Sequence, residues 1–235
     1  MSGSGAGSAL RAKLDLAAPV LRMAAARLWQ ASQPRERYAS YLCVMHAVVR
    51  ASVPLMEAAA ERCATLPGSD PVAGPLRAYL CRHIEEERHH DRWLLADLVA
   101  LGHDPREPLR RTPPASVARL VGAQYYWVLH HHPICLLGYI AVLEGYPPSP
   151  GLGRHLAART GYPDPAFRTL RAHSLLDIAH AEAVFAVLET LPVSAAQQSA
   201  LGLSALHTVA CAAQVLDEIA AGEPAPQPIH GRSRT

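Results

Sequence analysis

Lysine is almost missing from this chain: Lys13 is the only one among 22 basic residues, and 20 acidic residues leave a formal net charge of +2. A balance that mild argues against a nucleic-acid-binding surface or an anionic-membrane surface. Aromatic residues make up 6% of the sequence, with only two phenylalanines. Alternation of β-branched and polar residues is scarce, so strands lack their usual signal, while abundant alanine and leucine favour an all-α protein. The five cysteines, Cys43, Cys63, Cys81, Cys135 and Cys211, show no CxxC spacing. Such a scattered, odd set reads as reduced thiols rather than a disulfide framework. The opening stretch Met1–Ser8 has neither a basic segment nor an apolar core, so no signal peptide is expected. No run of 18 uncharged apolar residues is found, and no transmembrane helix is expected. These absences together predict a soluble, cytoplasmic protein.

What is present is a series of long helical segments. With 235 residues, the chain suffices for one substantial core. Residues 1–8 and 223–235 read as disordered tails around a helical domain at 9–222. Proline and glycine punctuation divides that domain into helices near 9–32, 35–65, 71–101, 115–145, 151–160, 164–191 and 194–221. Seven helices in one bundle is the expectation. Pro19, Pro54 and Pro133 fall inside helical patterns and should kink their helices or start them anew.

The segment His173–His180 concentrates the chemistry. At about 100° per residue, Asp177 lies about 40° and His180 about 20° from His173 around the helix axis. All three share a face that Leu170, Val184 and Val187 continue. Two imidazoles and a carboxylate on an apolar face cost several kcal/mol, roughly, if left unpaired indoors. A divalent metal is a simple shared partner, as imidazole and carboxylate together suit iron or zinc; core histidines satisfied by backbone or by a buried acid are the competing explanation. In the third segment the same periodicity puts His83, Glu86, Glu87 and His90 on the face of Leu80, Leu94 and Leu98. Glu85, Arg88, His89 and Arg92 fall opposite, where solvated ion pairs account for them. Glu87 and His90 form Glu-x-x-His, a spacing used by diiron bundles. Glu144 closes an apolar run on the stripe of Pro133, Leu137 and Ile140 and needs a cation, a hydrogen-bond partner or water at the helix end. Glu87, His90, Glu144, His173, Asp177 and His180 thus form a candidate ligand set for two adjacent metals, with Glu86 as a rival ligand and His83 as a neighbour.

These motifs complete a resemblance. His83-Ile84-Glu85-Glu86-Glu87 to His90, His132-Pro133 through Gly138-Tyr139 to Glu144-Gly145, and His173-x3-Asp177-x2-His180 resemble the haem-oxygenase-like diiron oxidases and oxygenases, over nearly the whole chain. The resemblance implies a haem-oxygenase-like seven-helix fold, two Fe(II) per chain, dioxygen as co-substrate, a small-molecule substrate and an electron donor. It also implies a bridging role for Glu144. Many members carry a glutamate seven residues before the first-helix histidine; here that position is His83, and Glu87 takes its role, as in the branch resembling fatty-acid-decarboxylating alkene formers. Outcomes in the family include N-oxygenation, C–C cleavage of amino acids, desaturation and oxidative decarboxylation, acting on amino-acid or fatty-acid-like molecules.

Three other readings compete. A metal-free thiaminase-like hydrolase would use a cysteine such as Cys135, and a cofactorless oxidase shares the fold; both leave the six ligand-type residues idle. A haem site needs one axial histidine and leaves the carboxylates unused. A non-catalytic iron-binding helical protein would keep the ligands without a substrate cavity. Met45, His46, Tyr125, Tyr126 and Trp127 are candidates to line such a cavity, and Arg50 is a candidate partner for a substrate carboxylate. A homodimer is compatible with the sequence.

Overall fold

The computed structural model describes residues 5–222, and every regular element within them is helical. The expected tails at 1–4 and 223–235 lie outside that range. Residues 6–8 correct the expected N-terminal tail, since the first helix, α1 (Ala6–Gln30), already includes them. Leu10, Leu14, Leu21 and Leu28 recur at helical spacing along it and are all buried. They pack α1 against the last helix, α10 (Ala195–Ala221), and against α9 (Arg168–Thr190). Ser194 and Gln197 start α10 with a capping box, each side chain accepting from the other's backbone N–H.

The second helix, α2 (Pro34–Thr65), runs through the middle of the bundle. It touches α3 (Ala73–Glu87), α4 (His90–Ala100) and α6 (Ala115–His130). By length and composition alone, α2 and α10 are each long and apolar enough to cross a membrane. Their apolarity has another outlet here, because each is partly enclosed by neighbouring helices. Both α1 and α2 continue through Pro19 and Pro54 without a break in assignment.

Two expected helices are divided. The segment at 115–145 ends as α6 at His130 and restarts through a 3₁₀ turn, Pro133–Cys135, into α7 (Leu136–Gly145). Pro133 accounts for this, since its ring bars the helical conformation for His132, which is extended with φ −149° and ψ 135°. The segment at 71–101 breaks between α3 and α4, where Arg88 is extended and His89 is left-handed with φ 76°. No glycine or proline marks that break. A short helix, α5 (Glu107–Arg110), and α8 (Leu152–Thr160) complete the set, and a second 3₁₀ turn, Asp164–Phe167, leads into α9.

Two features fix the walls of the site. Gly138 lets α7 approach α10 closely: a Cβ there would stand 2.6 Å from the Leu201 carbonyl oxygen and 2.9 Å from the Ala205 nitrogen. Asp97 of α4 is fully buried and accepts a hydrogen bond from the Thr169 backbone N–H at 3.0 Å, which ties the first turn of α9 to α4. With α3, these elements surround the ligand-type residues.

Candidate metal centre

Of the residues singled out in sequence, His83, His90, Asp177 and His180 are buried, whereas Glu86 is exposed. His89 is exposed and His90 is 5% exposed, so the two neighbouring histidines face opposite environments, as periodicity predicts. The break at His89 re-aims the chain so that His90, the first residue of α4, still points inward. Its Nδ1 lies 3.0 Å from Glu87 Oε2. A left-handed histidine costs on the order of 1–3 kcal/mol, and the exposed ring of His89 gives nothing back in packing.

The side chains gather into two groups. His83, Glu87, Glu144 and His180 each offer one ligand atom within 4.8 Å of the others, and so do Glu87, His90 and His173. Glu87 belongs to both. His83 therefore enters the first group, although sequence reasoning left it as a neighbour of the site. The signal was present: His83 shares the helical face of Glu87. Glu144, for which the resemblance implies a bridging role, belongs to the first group, and Glu87 is the carboxylate common to both. Asp177 lies outside both groups, but it is buried beside them and feels the charges of Glu87 and Glu144.

The electrostatics are those of charges crowded indoors. Burial pushes the Asp177 carboxyl up to about 8, and repulsion from Glu144 and Glu87 adds to the shift. Glu144 is raised by burial against the opposing pull of His83, whose Nε2 lies 2.7 Å from Glu144 Oε1. Burial alone would lower His83, but Glu144 raises it to about 9. Glu87 is held well below the usual carboxylate range, with burial outweighed by the neighbouring His180 and His90 rings. His173 is lowered, chiefly by burial.

Several atoms are left without partners in ways that suit a cation. Glu144 Oε2 is buried and makes no hydrogen bond. His180 Nδ1 stands 3.3 Å from Glu87 Oε1 without alignment for a hydrogen bond. His173 Nδ1 donates to the Thr169 carbonyl at 3.0 Å, which fixes the tautomer and leaves Nε2 as a lone-pair donor. His83 Nδ1 lies 3.2 Å from the Glu86 carboxylate, while its Nε2 faces Glu144. Imidazole nitrogens and carboxylates without thiolates suit iron in a borderline donor set.

Beside the two groups lies a cavity of about 690 Å³, whose wall includes Glu87, Glu144, His173 and Asp177. The rest of the wall is almost wholly apolar, from α1, α2, α7 and α10. Met45 lines it, as expected. His46, Tyr125, Tyr126 and Trp127 do not, and the exposed Arg50 lies elsewhere. On a helix as central as α2, periodicity alone cannot say which of several buried faces borders a void.

The molecule is thus an all-α bundle with two histidine–carboxylate groups, sharing one glutamate, that could hold metal. The match to a family model described as iron-containing redox enzyme spans residues 39–215, and the chain belongs to that family. Among solved structures, it is similar to a domain of unknown function with a haem-oxygenase-like fold from Shewanella denitrificans OS217. That match has a TM-score of 0.69 and 18% identity, and covers 91% of this chain and 88% of the other. It is also similar to a TenA homologue from Pseudomonas syringae pv. tomato DC3000, with a TM-score of 0.63 and 14% identity, over 88% of this chain and 92% of the other. At these identities the likeness establishes the haem-oxygenase-like fold. No curated protein matches the sequence.

Proposed function

We propose that the protein is a dioxygen-activating non-haem diiron oxidase or oxygenase acting on a small molecule with an apolar body. The observation that carries this reading is the sharing of Glu87 between the two ligand-type groups. His83, Glu87, Glu144 and His180 would hold one iron, and Glu87, His90 and His173 the other, with Asp177 beside them. Iron held by these residues would supply the electrons with which dioxygen is activated, and an external electron donor would restore them.

The chain's own contribution is positioning and exclusion. Thr169 orients the His173 ring through Nδ1, which holds that ring in one tautomer, and Glu86 positions the His83 ring from its Nδ1 side. The largely apolar wall suits a fatty-acid-like substrate better than an amino acid, whose body offers it little apolar surface. The thiol alternative loses support at Cys135. That side chain is fully buried, does not line the cavity, and has its thiol pushed up to about 11 by burial.

The test is anaerobic iron loading followed by dioxygen in the presence of amino acids and fatty acids, read by absorption and mass spectrometry. Substrate oxidation that needs iron, dioxygen and a reductant, and that survives Cys135→Ala, is the expected result. Turnover without metal, or its loss in an iron-replete Cys135→Ala protein, would move the mechanism to the thiol class.

A further inference from the structure

Helix α1 is apolar on two faces. Leu10, Leu14, Leu21 and Leu28 turn into the core, whereas Ala12, Leu16, Pro19, Val20, Met23 and Ala26 are all exposed. Leu16 is 85% exposed, the highest value among the described large hydrophobic residues, and Met23 is 59% exposed. Ala12, Leu16, Pro19, Met23 and Ala26 recur at alternating steps of four and three, the spacing of a seam that packs against another helix. Helix α10 lies alongside. A Cβ on Gly202 would stand 3.1 Å from Lys13 Cδ, and Arg27 pairs with Asp217 at 2.8 Å, so the two helices run parallel with Val20 near the level of Leu206. Leu203, Leu206 and Ala210 are exposed on α10 and widen the apolar face to two helices. Its charges stand at the ends, with Lys13 at one and the Arg27–Asp217 pair at the other.

A contiguous apolar face of this kind marks an interaction surface, and the charges on its flank indicate what covers it. Asp15 and Arg22 lie about 20° apart around α1, on the same side of the seam. Both are exposed, and neither enters a salt bridge among the described residues. They stand about 10 Å apart along the helix, too far to pair with each other. A two-fold axis crossing α1 midway between them, level with Ala18, lays the same helix of a second copy antiparallel on the first. Asp15 of each copy then meets Arg22 of the other, and Ala12 and Leu16 of one face Met23 and Pro19 of the other. A parallel pairing would set Asp15 level with Asp15 and leave both kinds of charge unmatched.

We infer that the outer face of α1 and α10 binds a second copy of this chain, in an antiparallel two-fold contact flanked by two Asp15–Arg22 ion pairs. Because one patch complements itself, the assembly closes at two copies. Burial of Leu16, Met23, Leu203 and Leu206 drives the association, and the ion pairs beside the seam fix its direction. Arg22 and Ala26 are also exposed members of the cavity wall, so the second copy stands beside the cavity's rim. The inference is independent of the proposed chemistry and of bound iron.

The experiment is sedimentation velocity on the full-length protein, from micromolar to submillimolar concentration, where the parent should be a dimer. Leu16→Glu puts two charges into the seam and should raise the dissociation constant by about a hundredfold or more. Val20→Glu serves if that variant fails to fold, as judged by its circular dichroism. Asp15→Arg and Arg22→Asp each turn two attractions into two repulsions, and each should weaken the dimer about tenfold. The double variant Asp15→Arg/Arg22→Asp restores opposite charges across the axis and should recover the parent's affinity, which a merely apolar contact would not require. A parent that is monomeric throughout, a dimer indifferent to a folded Leu16→Glu or Val20→Glu protein, or charge reversals that cost nothing or are not rescued by the double variant would overturn the inference. A monomeric parent that co-sediments with phosphatidylglycerol vesicles would give the face to a lipid surface instead, which equally overturns it.

Discussion

Single residues carry the sharpest consequences. His89 and His90 are neighbours in sequence with opposite surroundings, and only His90 joins a ligand-type group. His89→Ala should leave iron content unchanged, while His90→Ala should lower it; the reverse pattern in elemental analysis would refute the assignment of faces. Glu144→Ala removes a member of one group, so it should cost about one equivalent of iron and spare the other. Asp97 offers a test of electrostatics away from that cluster. Burial raises its carboxyl from 3.8 to about 6, because the hydrogen bonds from Thr169 offset only part of the desolvation, and Oδ1 has no partner. The folded protein therefore holds this proton more tightly than the unfolded chain. Its stabilising effect is full below about pH 4 and is lost as the pH rises through about 6. Asp97→Asn removes that loss, so the variant should be more stable than the parent at pH 7 by up to about 3 kcal/mol. The gain should shrink to nothing near pH 3.5 in urea melts; an equal difference at both pH values would contradict the argument.

At the scale of helices, the chain was legible where periodicity and proline speak together. The break at Pro133 follows from its ring, and the inward face of α9 from the spacing of His173, Asp177 and His180. The break at Arg88–His89 was not legible, since neither residue is a breaker and nothing in the local sequence calls for a left-handed histidine. Likewise, the sequence could place His83 on the correct face without showing that its ring meets Glu144 from another helix. The closeness of α7 to α10 at Gly138 was equally hidden. Gly138→Ala should force α7 away from the Leu201 carbonyl, destabilising the fold by about 1–3 kcal/mol and lowering iron content through displacement of Glu144. A melting curve and metal content matching the parent's would show that the approach is less tight than described. Without metal, α9 holds Asp177 against Glu87 and Glu144, and the easiest relief is local opening. Hydrogen exchange should therefore find residues 173–184 less protected in the metal-free protein than in the iron-loaded one, and equal protection would mean a preformed site.

For the whole molecule, the composition that excluded strands also dictated a bundle, and the bundle brings α3, α4, α7 and α9 around one polar cluster in an otherwise apolar interior. Burying three carboxylates together is costly unless cations or protons join them. Membership of the iron-containing redox enzymes makes iron the natural cation, and under the proposed reading the shared Glu87 would join two of them. The cavity running past the cluster gives such a centre something to act on, which a storage protein would not require.

Iron stoichiometry tests this account most directly. Anaerobic titration with ferrous ion, followed by removal of unbound metal and elemental analysis, should give about two irons per chain, since six candidate ligands divide between two groups with one member, Glu87, in common. In Glu87→Ala both equivalents should fall together, because that carboxylate belongs to each group. A single zinc with no uptake of iron, or full retention of both irons by Glu87→Ala, would contradict it.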